Sequence, residues 1–159
     1  MRSFGNSKSV TGDHVVWSII ETTADMGLRI ENTNSWSETI EQAILGLQNF
    51  ATITSKNMDL QDSKPISIRK TNSTADIDYE RDLVKILEEI VYLNDVKEQW
   101  IVRADVKIDD ESYTIYPQVI DQENIVRSVE VKAITRHGLD VRVPETDSDS
   151  WYAQVILDL

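Results

Sequence analysis

The sequence predicts an α+β fold: two helices packed on a mixed or antiparallel β-sheet, in a single compact domain. Three observations carry that expectation. Two segments in the first two thirds of the chain place apolar residues at helical spacing. Almost everything after Trp100 reads as short alternating strands separated by turns. The chain also closes inside an apolar alternation, Trp151 to Leu159. Helices grouped among strands, instead of a strict β-α-β rhythm, belong to the α+β class.

At 159 residues the chain is long enough for one domain with a substantial core. It is 40% hydrophobic and 28% charged, which is globular and not disordered composition. The absence of any long apolar run argues against a membrane span. The polar first residues lack the apolar stretch of a signal peptide. With no cysteine there is no disulfide framework and no thiolate ligand or nucleophile. Together these lead to the expectation of a soluble, cytoplasmic protein. Sixteen Lys and Arg against 28 Asp and Glu give a net charge of −12. Gripping a phosphate backbone needs cationic side chains, so direct nucleic-acid binding is not expected. A part in nucleic-acid chemistry through a protein partner stays open, and the overall field attracts cations.

Residues 1–13 read as a flexible N-terminal segment and 14–159 as the domain. His14 to Ile20 is β-branched and aromatic, a strand. Glu21 to Gly27 interrupts it with small and polar residues, and Leu28 and Ile30 resume a short strand. Ser35-x-x-Glu38 is a capping box. Ile40, Ala43, Ile44 and Leu47 then form one apolar stripe of a helix that fades near Phe50. Gly46 weakens that helix interior and points to close packing. A polar stretch from Lys56 to Ala75 holds one short strand, Ile66 to Arg69. The second helix runs from about Asp78 to Leu93, with stripe Leu83, Ile86, Leu87, Ile90 and Leu93, and is ended by Asn94-Asp95. Acidic Asp78, Glu80 and Asp82 suit its N-terminal end. Trp100, Val102, Ala104, Val106 and Ile108 alternate with polar residues as a strand with one wet face. Asp109 to Glu111 turns the chain and Tyr113 to Ile120 returns it. Val126 to Thr135 reads as one further strand, then Gly138, a short Leu139–Val143 run, a polar turn and the final strand.

That final strand raises a charge problem. A strand that buries Leu157 and Leu159 carries Asp158 and the terminal carboxylate to the fold or its rim. Anions so close together repel, and burying one unpaired is expensive. Either the strand end is solvated, or a hard divalent cation sits there. Asp25, in a turn beside Gly27 and near the Thr22 and Thr23 hydroxyls, is by itself an Asx-type turn residue. Joined to Asp158 and the Leu159 carboxylate, it would complete an oxygen-rich shell of the kind Ca²⁺, Mg²⁺ or Mn²⁺ prefers. Spacing alone does not bring the two ends together. The two histidines, His14 and His137, form no catalytic triad pattern; Lys132 with His137 could serve as base and acid, or His137 could be a structural strand-end residue.

Three segments, in order, resemble the archease family. Thr22-Thr23-Ala24-Asp25-Met26-Gly27 resembles its His-Thr-Ala-Asp-hydrophobic-Gly motif. Val131-Lys132-Ala133-Ile134-Thr135-Arg136-His137 resembles its Lys-Ala-(Val/Ile)-Thr-aromatic-His motif. Trp151 through Asp158-Leu159 resembles its closing strand. The capped first helix and Leu87-Glu88-Glu89-Ile90-Val91-Tyr92-Leu93 fit the family's two helices. The likeness spans Trp17 to Leu159.

The resemblance implies a small accessory protein, not itself an enzyme, that assists the GTP-dependent RNA ligase of tRNA splicing and RNA repair. It implies promotion of ligase guanylylation and multiple turnover. It implies a metal site formed by Asp25, Asp158 and the terminal carboxylate of Leu159, with Thr22, Thr23, Lys132, Thr135 and His137 shaping the neighbouring surface. Thr22 stands where the family carries histidine; a hydroxyl supplies no imidazole nitrogen, which favours Ca²⁺ or Mg²⁺ over a transition metal, with Mn²⁺ a further candidate. Arg136 replaces the family's aromatic residue. Two rival readings are a metal-independent chaperone or interaction module and a metal-dependent hydrolase. The scarcity of acid–base residues disfavours the hydrolase.

Overall fold

The computed structural model describes residues 8–11, 14–21, 25–55, 60–72 and 76–159. Its elements are β1 (Lys8–Thr11), β2 (His14–Glu21), β3 (Met26–Thr33), α1 (Trp36–Ala51), β4 (Thr52–Ser55), β5 (Gln61–Asp62), β6 (Ile66–Arg69), α2 (Tyr79–Val96), β7 (Gln99–Ile108), β8 (Ser112–Asp121), a 3₁₀ turn (Gln122–Asn124), β9 (Ile125–Arg127), β10 (Ala133–Arg142) and β11 (Trp151–Asp158). Among the described residues every strand pair is antiparallel. One sheet runs β1-β2-β3-β11-β10, a second sets β7 on one side of β8 and β5 and β6 on the other, and β4 pairs with β9. This is the expected α+β architecture. Within the first 13 residues, Lys8–Thr11 pair with β2 as β1.

Helix α1 starts where the capping box places it. Glu38 N–H donates to Ser35 Oγ at 3.1 Å; the Glu38 carboxylate reaches back to Asn34 N–H at 2.9 Å, one residue before the expected Ser35. Its stripe of Ile40, Ala43, Ile44 and Leu47 is fully buried against Leu28, Ile30 and Val155 in the main core. Gly46 lies where the helix meets β2 and β3. A Cβ there would sit 2.6 Å from Leu28 Cδ1 and 3.2 Å from the Trp17 ring. Close approach, not backbone conformation, explains the glycine.

Helix α2 is capped by Asp78, whose Oδ1 accepts from Arg81 N–H at 3.1 Å. It runs through the expected stop at Asn94-Asp95 to Val96. The reason is tertiary: the Asn94 and Gln48 side-chain amides bond reciprocally at 2.8 and 3.0 Å across the α1–α2 contact. A helix-weak residue is retained because a buried partner satisfies it. Another buried polar link joins Asp82 to Thr71 N–H at 2.8 Å and to the Tyr113 hydroxyl at 2.7 Å, which in turn accepts from Trp36 Nε1 at 3.1 Å.

Two strand expectations need correction. The wet-face alternation predicted for β7 breaks at a register shift between Ile101 and Arg103. Ile101 therefore joins the main core, while Trp100 and Val102 pack with Ala51 and Ile120 in a smaller cluster. The predicted Val126–Thr135 strand is two strands. Beyond β9 the chain leaves the sheet, Ser128 N–H donates to Ala51 O at 2.8 Å, and Val129 and Val131 are buried in the core before β10 begins. A β-like run of valines crosses between sheets because burial, not pairing, fixes it.

Candidate metal centre

Strand β11 is positioned between β3 and β10 because its alternate residues Ala153, Val155 and Leu157 are apolar and buried under the helices. Met26, Leu28 and Ile30 of β3 pack against the same core. The period of two then sends Gly27 and Arg29 of β3, and Tyr152, Gln154, Ile156 and Asp158 of β11, to the opposite face. Contacts on that face agree: Arg29 donates to Gln154 Oε1 at 3.1 Å, and Ile156 lies against Gly27.

The pairing of β3 with β11 ends at Leu157 opposite Met26. Continued one further step, the same register would set Asp158 across from Asp25, on the same face. Directly opposed residues on neighbouring antiparallel strands have Cβ atoms about 4.5–5.5 Å apart. Both aspartates are exposed, and Leu159, the last residue of the sequence, is 41% exposed. The sheet thus brings together Met26 and Leu157, the chain neighbours of Asp25 and Asp158. Among the described residues no group of three or more His, Cys, Asp or Glu side chains lies together as a metal site. The expected set is of another make-up: the side-chain carboxylates of Asp25 and Asp158 with the carboxylate expected at Leu159. An all-oxygen donor set of this kind fits a hard divalent cation.

The neighbouring expectations divide. On β10, Ala133 pairs with Asp158, and Lys132 N–H donates to Asp158 O at 2.8 Å. Ile134 is buried in the core, so alternation puts Lys132 on the helix side and Thr135 on the aspartate side. Thr135 Oγ1 accepts from His137 N–H at 3.1 Å, and His137 is exposed in an irregular stretch between the Thr135 and Asp140 pairings. Gly138 in that stretch has φ 73°, and a Cβ there would stand 3.0 Å from Ile156 Cγ1. Its backbone folds over Ile156 and receives a hydrogen bond from the Gln154 amide at 3.1 Å. Sequence reading separates Gly138 from the strands on either side; in the structure it belongs to a bulge inside β10. Thr22, Thr23 and the His14 side chain lie outside the described residues.

At the far end of this face from the aspartates, the Arg142 guanidinium stacks 4.4 Å over the Tyr152 ring and pairs with Asp140 at 2.8 Å. No helix of the structure is long and apolar enough to cross a membrane, among the described residues.

The comparisons with known proteins bear on this arrangement. A search of curated proteins finds no match. Among solved structures, the chain is similar to the solution structure of Methanobacterium thermoautotrophicum protein 1598, with a TM-score of 0.66 and 23% identity. That match covers 90% of this chain and 98% of the other. At that identity the likeness shows the fold alone. The model of the Archease protein family (MTH1598/TM1083) matches residues 17–159, which include Asp25, the Lys132–His137 segment and the closing strand. By that match, the chain belongs to the archease family.

Proposed function

We propose that this protein is an accessory factor for a GTP-dependent RNA ligase of tRNA splicing and RNA repair, acting in the cytoplasm and performing no ligation itself. It promotes guanylylation of the ligase and its repeated turnover, and does so with a divalent cation held by Asp25, Asp158 and the Leu159 carboxylate. Family membership supports the accessory role. The observation that supports the metal-centred reading is the β3–β11 register, which pairs Leu157 with Met26, the residues next to Asp158 and Asp25. The oxygen-only donors favour Ca²⁺ or Mg²⁺, with Mn²⁺ a further fit.

A cation bound there would offset negative charge on a triphosphate during nucleotidyl transfer. The chain's own part is positional. The backbone bond from Lys132 to Asp158 fixes the strand end, and the buried Leu157 beside it anchors β11 so that the two carboxylates stay at the surface. A net charge of −12 suits docking on a basic protein and opposes binding RNA alone.

The test is guanylyl transfer to a purified ligase of this type, with this protein substoichiometric, with and without EDTA, for wild type and Asp25→Ala. Stimulation lost in EDTA and in the variant is the expected result. Full stimulation by Asp25→Ala would sink the metal-centred mechanism. Suppression of aggregation in unrelated clients, indifferent to EDTA, would favour a metal-independent chaperone instead.

A further inference from the structure

Strand β8 carries Pro117 in its interior, with β7 along one edge and β5 and β6 sharing the other. In an antiparallel ladder a residue's N–H and C=O point to the same side. The Pro117 carbonyl accepts from Ser63 N–H at 3.1 Å, so the N–H that proline lacks is missing from the edge facing β5 and β6. The partner chain is irregular there. Asp62 pairs with Gln118 and Ile66 with Ile115, which leaves Ser63-Lys64-Pro65 against only Tyr116 and Pro117, a bulge. Beside this bulge lies a cavity of about 420 Å³, walled by Pro65, Ile66, Leu93, Ile101, Pro117 and Val119.

Ile101 and Val119 pair across the two strands and are buried in the main core, which gives the cavity a rigid apolar floor. Lys64 and Lys97 are the only charged residues lining it. Both are exposed, and neither forms an ion pair or a side-chain hydrogen bond among the described residues. Other cations are engaged: Arg81, Arg127 and Arg142 pair with carboxylates, Lys85 bonds the Arg69 carbonyl, and Lys70 and Lys107 lie over tyrosine rings. The acids next to the cavity in sequence do not line it. Asp62 accepts from the Gln118 amide at 3.2 Å, and alternation sends Gln118 to the face away from Pro117 and Val119. Glu98 lines a separate depression with Asp121. Lys97, the C-cap of α2, also suits the negative end of the helix dipole, but Lys64 on the bulge has no such reason. In a chain of net charge −12, two unpaired ammonium groups on one apolar cavity make a local positive opening.

We propose that this cavity binds a small amphipathic anion: an apolar body carrying a carboxylate or phosphate head. The volume lies in the range of small-molecule sites, about 300–1,000 Å³, which are typically apolar with a few polar groups that orient the ligand. The apolar walls take the body. Lys64 and Lys97 take the head, since a lysine stem can lie along an apolar wall while its ammonium stays at the mouth. Their attraction for the head is strengthened where those walls exclude water. Ser63 and Gln99, bonded to each other at 3.3 Å, add polar groups at the same opening. An extended peptide is a poor occupant, because β8 spends both edges on β5, β6 and β7 and offers none for strand addition. The site belongs to the second sheet, apart from the β3–β11 end that carries the candidate metal centre, and needs no metal.

The experiment is a fluorescence titration of the full chain with two probes. Anilinonaphthalene sulfonate is an apolar body with one anionic head, and phenylnaphthylamine is the same body uncharged. Wild type is compared with Lys64→Ala/Lys97→Ala, with Lys64→Arg/Lys97→Arg, and with Leu93→Trp, which fills the cavity. Arg103→Ala/Lys107→Ala removes equal charge from exposed positions on the outer face of the same sheet, and melting temperatures are read in parallel. Wild type should bind the sulfonate saturably at one site, about tenfold or more tighter than the uncharged probe. The alanine pair should weaken sulfonate binding about tenfold or more at an unchanged melting temperature. The arginine pair and the outer-face pair should bind as wild type does, and Leu93→Trp should not bind. Octanoate or octyl phosphate should displace the bound probe, and the one that does so at lower concentration identifies the head. Absence of saturable sulfonate binding by wild type would overturn the proposal. So would wild-type affinity in the alanine pair, equal affinity for the uncharged probe, or an equal loss in the outer-face pair. Displacement by neither anion, but by a peptide of Asp and Phe, would overturn the small-ligand assignment. If Leu93→Trp fails to fold, the alanine pair, at two exposed positions, decides the matter.

Discussion

Replacing Asp158 by asparagine tests the candidate metal centre without any partner, because its two expected effects have opposite signs. In the absence of metal, Asp158 and Asp25 are like charges on adjacent strands, with the Leu159 carboxylate beside them. Two unit charges about 5 Å apart in water repel by about 0.8 kcal/mol. Salt screening at an exposed site reduces that to a few tenths. Asp158→Asn should therefore melt at the wild-type temperature or slightly above it in EDTA. A cation that binds only the folded state stabilises by about 2.7 kcal/mol at a hundredfold excess over its Kd. For a chain of this size that is a rise of about 5–10 °C. Wild type should show such a rise in millimolar calcium, and Asp158→Asn should show little of it. The assay is a melting curve followed by circular dichroism, in EDTA and across a calcium series, at fixed ionic strength. The reasoning is refuted if the variant melts several degrees lower in EDTA, which would make Asp158 a structural carboxylate. It is equally refuted if calcium raises the variant's melting temperature as much as the wild type's.

Two further outcomes follow from carboxylates that accept from backbone N–H groups. Asp82→Ala leaves Thr71 N–H and the Tyr113 hydroxyl without their acceptor in the core. Each unsatisfied buried group costs about 1–3 kcal/mol, so urea denaturation should show a loss of about 2–6 kcal/mol; a change under about 1 kcal/mol would mean the network is replaceable. Glu41 accepts from Val106 N–H at 2.8 Å on the outer edge of β7. Burial holds its carboxyl above the usual range, Asp105 and Glu38 add to this, and the Val106 bond works against it. The folded state then binds the proton more tightly than the unfolded one. Stability from this group is complete below the ordinary carboxylate value and is lost as pH rises through the raised folded value. Glu41→Gln keeps the acceptor and removes the charge, so it should melt higher than wild type at pH 7 and lose that advantage near pH 4. Parallel melting curves at pH 4 and pH 7, or a variant less stable at pH 7, would refute the assignment.

What the sequence determined was local. A capping box, two apolar stripes and a closing alternation are contained within a turn or a strand, so α1, most of α2 and β11 are legible from residue order. The acidic pair was legible as a question, because Asp158 and the terminus are adjacent in the chain and their repulsion needs an answer. Everything that depended on a partner distant in sequence was decided by the tertiary structure. Asn94 extends α2 because Gln48 satisfies it, the 128–132 segment leaves the sheet because Val129 and Val131 are needed in the core, and β7 turns over at Ile101 to feed two clusters. The approach of the chain around Asp25 to the closing strand is of the same kind. Periodicity assigns each to a strand face, yet only the register of β3 on β11, fixed by burial of Leu28 against Val155 and their neighbours, brings the adjoining Met26 and Leu157 into a pair.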